Sequence, residues 1–175
     1  MSMRSLILAA ALSSIAAASA VADSPRLGKA ITPSELAPYD ISVDPAGVGL
    51  PPGGATARDG KAIYEAKCQA CHGEKGVGSP NDRLAGGVGS LASGQTPVKT
   101  VGSYWPYATT LFDYVRRAMP YTAPKSLTDD EAFAATAYVL YLNGIVGESD
   151  RLDAATLPKV VMPNRNGFKP YVTGR

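Results

Sequence analysis

The sequence predicts a mainly α fold with an extended N-terminal arm and a C-terminal tail. Three observations carry this prediction. Helix starts are legible at Thr56 and at Thr128-Asp129-Asp130-Glu131, the latter a capping box with acids in its first turn. No internal repeat or strand-rich stretch appears. Gly and Pro are abundant, 18 and 14 of 175 residues, which places irregular connections between a few helices. A hydrophobic content of 45% suffices for a core. The 17 basic and 15 acidic side chains give a net charge of +2, too balanced for a nucleic-acid surface that must neutralise phosphates.

Residues 1–22 read as a secretory signal peptide. Arg4 supplies the positive start, Leu6–Ala18 is an apolar run too short for a comfortable membrane span, and small residues follow. Cleavage is expected after Ala22, with Ala20 as the alternative; a permanent anchor is the competing reading. Removal takes one basic residue and no acid from the 17 and 15, leaving +1. It also leaves two methionines, Met119 and Met162, each followed by proline. The mature chain is then expected in the periplasm, with no membrane span.

Residues 23–54 are proline-punctuated and expected to be extended, either lying over the domain or a partner or acting as a linker. Thr32-Pro33-Ser34-Glu35 can start one helical turn there. From Thr56 a helix is expected to run to about Cys71, with Gly60, Tyr64 and Cys68 on one face. Gly73–Thr100 is long, glycine-rich and aperiodic. Pro106 in a first turn, with Leu111, Phe112 and Val115, predicts a helix over about 107–118. The helix from Asp129 carries Phe133, Ala137, Tyr138 and Leu140 and stops at Asn143-Gly144. The expected organisation is thus an arm to residue 54, a helical domain over 55–144, and a tail over 145–175 packing on it.

Cys68-Gln69-Ala70-Cys71-His72 is the one strong motif, and it reads as an attachment site for a c-type haem. Two cysteines three apart can each form a thioether with one porphyrin vinyl group, and the adjacent imidazole becomes the proximal iron ligand. One covalent haem c is therefore expected, on Cys68 and Cys71, with His72 on iron. A thioredoxin-like dithiol would need a βαβ context, and structural zinc would need four ligands where Cys and His total three. A Cys68–Cys71 disulfide would close a small, strained loop. A carbonyl within Pro80–Leu84 is expected to orient the second ring nitrogen of His72. With one histidine in the chain, the sixth ligand is Met, Lys, water or an open position.

The order of helix, haem motif, glycine-rich loop, helix, Met-Pro and capped last helix resembles class I cytochrome c over about residues 55–144. That resemblance implies a close crossing of the first and last helices, with Gly60 and Tyr64 against the face carrying Tyr138. It also implies Met119, just before Pro120, as the distal iron ligand; Met162 is the alternative, and core packing is the other reading of each. A narrower resemblance covers Asp40-Ile41, Gly49–Gly53, Gly102–Tyr107, Asp113–Pro120 and Met162–Phe168. These strings are similar to the cytochrome subunits of bacterial molybdenum sulfite and sulfane dehydrogenases. Sulfane dehydrogenase cytochrome subunits commonly carry two haem domains, whereas this chain has one Cys pair.

Trp105 then either donates its indole N–H to a haem propionate or is a core tryptophan. Arg116 and Arg117 either meet propionates, face a partner, or offset a helix dipole; Tyr121 is open in the same way. The expected function is single-electron transfer, not catalysis. The donor is expected to be a molybdenum sulfite or sulfane dehydrogenase, and the acceptor a downstream cytochrome or terminal oxidase. The rival readings are a carrier for another dehydrogenase, a five-coordinate haem enzyme, and a gas sensor. The enzyme reading wants a distal base that the single histidine cannot provide.

Overall fold

A computed structural model describes residues 27–169. The signal peptide and both of its candidate cleavage sites lie outside the described residues. The chain divides into two units, residues 1–36 and 37–175. In the first, a single helical turn, α1 (Pro33–Leu36), has the reciprocal cap its sequence predicts. The Thr32 N–H donates to the Glu35 carboxylate at 2.8 Å, and the Glu35 N–H donates to Thr32 Oγ1 at 3.3 Å.

The second unit opens with irregular chain over 37–53. It continues with β1 (Gly54–Thr56), α2 (Ala57–Lys67), α3 (Gln69–His72), α4 (Ala108–Ala118), α5 (Asp129–Leu142) and β2 (Arg151–Asp153). The fold is mainly helical, as expected. α2 starts on Thr56, whose hydroxyl accepts from the Asp59 N–H while the Asp59 carboxylate accepts from the Thr56 N–H. α5 starts on Thr128 with the same exchange to Glu131, and stops at Asn143 before Gly144 at φ 67°.

Three features differ from expectation. The helix from residue 57 does not run unbroken to Cys71: it breaks at Cys68, where φ −123° and ψ −38° leave the helical well, and α3 resumes the turn. α4 begins at Ala108 with Tyr107 as its N-cap, so Pro106 precedes the helix instead of sitting in its first turn. A two-stranded antiparallel sheet also pairs Ala55 with Leu152. Strands of three residues are too short to show the alternation by which a strand is read from sequence.

The core gathers around α5, which is buried from Ala132 to Leu140. α2 crosses it closely. A Cβ at Gly60 would collide with the Ala134 carbonyl oxygen and lie 2.8 Å from Tyr138 Cβ. Tyr64, fully buried, packs on Tyr138 with ring centroids 5.2 Å apart. On another side of α5, Phe133 meets Phe112 of α4 at 4.4 Å. Lys67 at the end of α2 donates to Glu131 of α5 at 2.7 Å. That ammonium, with the Thr128 N–H, holds the Glu131 carboxyl below its ordinary range. The tail contributes Leu152, Leu157 and Met162 to the same core.

Residues 41–45 lie on α4. Val43 is buried, and its N–H donates to Asp113 Oδ1 at 2.9 Å. Arg117 grips the same carboxylate with two nitrogens, at 2.7 and 3.2 Å, and reaches Ser42 Oγ at 3.3 Å. Burial alone would raise the Asp113 carboxyl, but Arg117 and the Val43 N–H outweigh it and hold the group below its usual value.

Gly60→Ala should destabilise the protein by about 1–3 kcal/mol, because the added methyl meets backbone that cannot step aside. Denaturant midpoints of the two proteins measure this; an unchanged midpoint would show that the helices do not cross so closely.

Candidate functional site

Cys68, Cys71 and His72 come together where α2 gives way to α3. The break at Cys68 turns the chain so that the N–H groups of Cys71 and His72 both donate to the Cys68 carbonyl, at 3.1 and 3.0 Å. Cys68 is half-buried and Cys71 exposed, and both are free thiols. Burial, against the pull of the Lys67 ammonium, pushes the Cys68 thiol up to about 11. A redox dithiol depends on a thiol lowered toward neutrality, so this environment is wrong for one.

The segment after the motif folds back as a clamp. His72 Nδ1 lies 2.7 Å from the Asp82 carbonyl oxygen, inside the window expected for the orienting carbonyl. The backbone around it is tied twice more: the Gly78 N–H donates to the His72 carbonyl and the Asn81 N–H to the Cys71 carbonyl, each at 2.8 Å. Gly73 takes φ 75°, where any side chain is strained, and a Cβ there would approach the Gly78 carbonyl oxygen at 2.6 Å. From below, the Tyr64 hydroxyl donates to the Gly73 carbonyl at 2.8 Å. Burial pushes that phenol up to about 12. With Nδ1 engaged, the ring is set to act through Nε2.

This donor set fits a covalently attached haem. Two free thiols stand at the required spacing beside an imidazole whose far nitrogen is already spoken for. Leu84, Trp105 and Ile63 supply half-buried apolar surface packed against the core. Among the described residues no three His, Cys, Asp or Glu side chains are arranged to hold a bare metal ion, so a zinc site is not built here.

The other candidates fall in different places. Met119 ends α4, half-buried, with its N–H on the Val115 carbonyl. Met162 is 1% exposed and part of the core. Trp105 is half-buried and stacks edge-on to Tyr114, with centroids 5.7 Å apart. Arg116 is engaged internally: its Nε donates to Asp129 Oδ1 at 2.8 Å and its Nη1 reaches the Ile41 carbonyl at 3.5 Å. Arg117 serves Asp113, as described. Tyr121 is 80% exposed and so is not part of the core.

One structural residue escaped the sequence reading. Asn143 was legible only as a helix stop, yet its amide nitrogen donates to the carbonyls of Val139 and Leu84, at 2.8 and 3.0 Å. Its oxygen accepts from the Gly86 N–H at 3.0 Å. It therefore pins the glycine-rich loop, and Leu84 with it, to the end of α5. An Asn-Gly pair at a helix end carries no mark of a second task.

Comparison with known proteins gives two matches. Residues 55–139 match the family model for cytochrome c oxidase, cbb3-type, subunit III. The crystal structure of the sulfane dehydrogenase SoxCD from Paracoccus pantotrophus contains a chain 41% identical to this one, with a TM-score of 0.77. The alignment covers 83% of this chain and 72% of that chain. No curated protein sequence matches.

Asn143→Ala should cost about 1–3 kcal/mol, since two part-buried carbonyls lose their donor. Hydrogen exchange should show faster exchange at Gly86 than in the wild type; unchanged protection there would deny the loop-pinning role.

Proposed function

We propose a function from one premise: this chain belongs to the c-type cytochrome family. Electron transfer with a sulfur dehydrogenase is the role that membership and the SoxCD likeness support. The observation that carries the reading is the imidazole of His72, oriented through Nδ1 by the Asp82 carbonyl directly after a pair of free thiols. Cys68 and Cys71 hold the haem through thioethers, and His72 supplies the proximal nitrogen. The haem, when bound, would supply one-electron redox chemistry.

Met119 is the distal ligand in this reading. It ends α4 half-buried, so its thioether is not committed to the core, whereas freeing Met162 would vacate a fully buried core position. Trp105 offers its indole N–H to a propionate. Arg116, whose Nε is held by Asp129 and whose Nη1 reaches the Ile41 carbonyl, has Nη2 left for a second.

The chain works in the periplasm after loss of residues 1–22 and passes single electrons. It takes them from a molybdenum sulfite- or sulfane-oxidising dehydrogenase and hands them to a downstream cytochrome or terminal oxidase. Among the described residues no helix is long and apolar enough to cross a membrane. The mature charge of +1 gives weak long-range steering, so recognition is local.

Acid–acetone extraction should leave one haem on the wild-type chain and none on the Cys68→Ala, Cys71→Ala variant. Met119→Ala should abolish the weak far-red band of the oxidised protein and lower its potential, while Met162→Ala should keep the band and lower stability by about 2–5 kcal/mol. The reverse pattern would move the ligand to Met162. For the donor, sulfite should reduce this haem in stopped-flow only when the dehydrogenase encoded nearest to this chain is added. An enzyme that turns over an artificial acceptor but leaves this haem oxidised would defeat the donor assignment.

A further inference from the structure

Two strings on either side of the last helix, Tyr104–Tyr107 and Met162–Phe168, meet in the folded chain. The Asn164 amide nitrogen donates to the Tyr104 carbonyl at 2.7 Å, and Phe168 stands edge-on to the Tyr104 ring, with centroids 5.1 Å apart. Two cations lie on aromatic faces at this contact. Arg165 lies over the Tyr107 ring with its guanidinium carbon 4.2 Å from the centroid, and Lys99 Nζ lies 5.1 Å from the centroid of Tyr104.

We propose that this tail-built surface, Lys99 and Arg165 stacked on Tyr104 and Tyr107 beside Phe168, docks an acidic face of the electron-donating dehydrogenase. The inference rests on the donor reading above and names the surface by which that donor is recognised.

Four features favour it. First, neither cation is neutralised, unlike Lys67, which pairs with Glu131, and Arg117, which pairs with Asp113. Among the described residues no carboxylate lies within ion-pair distance of Lys99 or Arg165. Both are exposed, so their charge is presented outward. Second, ring stacking restrains two long side chains before any partner arrives, which lowers the entropy lost on binding. Third, exposed aromatics beside arginine are the composition of interface centres, and Phe168 is 52% exposed. Fourth, the chain as a whole is nearly neutral, so a local cluster of one sign must supply the steering. The surface also flanks Trp105, the residue proposed to touch the haem. Its tail half lies beyond the region that matches the family model, so it is not a property of cytochrome domains in general.

The test uses the full holoprotein and the purified dehydrogenase with sulfite. The second-order rate of haem reduction is followed against ionic strength for wild type, Lys99→Glu/Arg165→Glu and Phe168→Ala. Wild type should slow as salt rises. The double reversal should be at least tenfold slower at low salt and converge on wild type at high salt; Phe168→Ala should lose severalfold at every salt concentration. Spectrum and potential should be unchanged in all three, which separates docking from damage to the site. Equal rates for wild type and double reversal overturn the surface while leaving the donor reading intact. A wild-type rate independent of salt overturns it too, without needing any variant to fold. No reduction of the wild type by an enzyme active on an artificial acceptor overturns the donor reading, and this proposal with it.

Discussion

Everything in the second unit is referred to the close approach of α2 and α5 at Gly60. A helix can bring its backbone against another only where a side chain is missing, and Gly60 supplies that gap against Ala134. The approach seats Tyr64 under Tyr138, and the seated Tyr64 turns its hydroxyl onto the Gly73 carbonyl. The haem motif therefore hangs from a helix whose depth and rotation are set by one glycine. The Lys67–Glu131 pair closes the same crossing at its rim, where a partly exposed ion pair adds little energy but fixes direction.

The imidazole is held by backbone groups and not by another side chain. Three hydrogen bonds, accepted by the carbonyls of Cys71, His72 and Asp82, tie α3 to the loop that follows it. Backbone partners are insensitive to side-chain replacement, so Asn81 and Asp82 can change while the clamp persists. Their geometry depends instead on left-handed positions such as Gly73, where replacement is costly.

Much of this was legible because the signals are local. Thr56 and Thr128 announced their helices, Asn143-Gly144 announced the stop, and the window Pro80–Leu84 contained the carbonyl that meets His72. What was not legible depends on residues distant in sequence. The pairing of Ala55 with Leu152, the hold of Asn143 on Leu84 and Gly86, and the meeting of Asn164 with Tyr104 are decided by where other elements have already placed the chain. Arg116 is the instructive case. Its type and position at a helix end suited three roles, and the structure spends it on Asp129, which opens α5. The break at Cys68 was hidden because neither its residue type nor its neighbours disfavour helix.

The small sheet has a kinetic consequence. Pairing β1 with β2 closes a loop on the order of a hundred residues long, inside which lie α2, the haem motif, α4 and α5. Closure entropy grows only slowly with length, so the pairing is not costly at equilibrium, but it is a non-local contact and forms late. A chain emerging from its N-terminus has therefore exposed Cys68, Cys71 and His72 to its surroundings well before Leu152 can return to Ala55. The order of synthesis leaves the segment with Cys68, Cys71 and His72 reachable first and seals the domain afterwards.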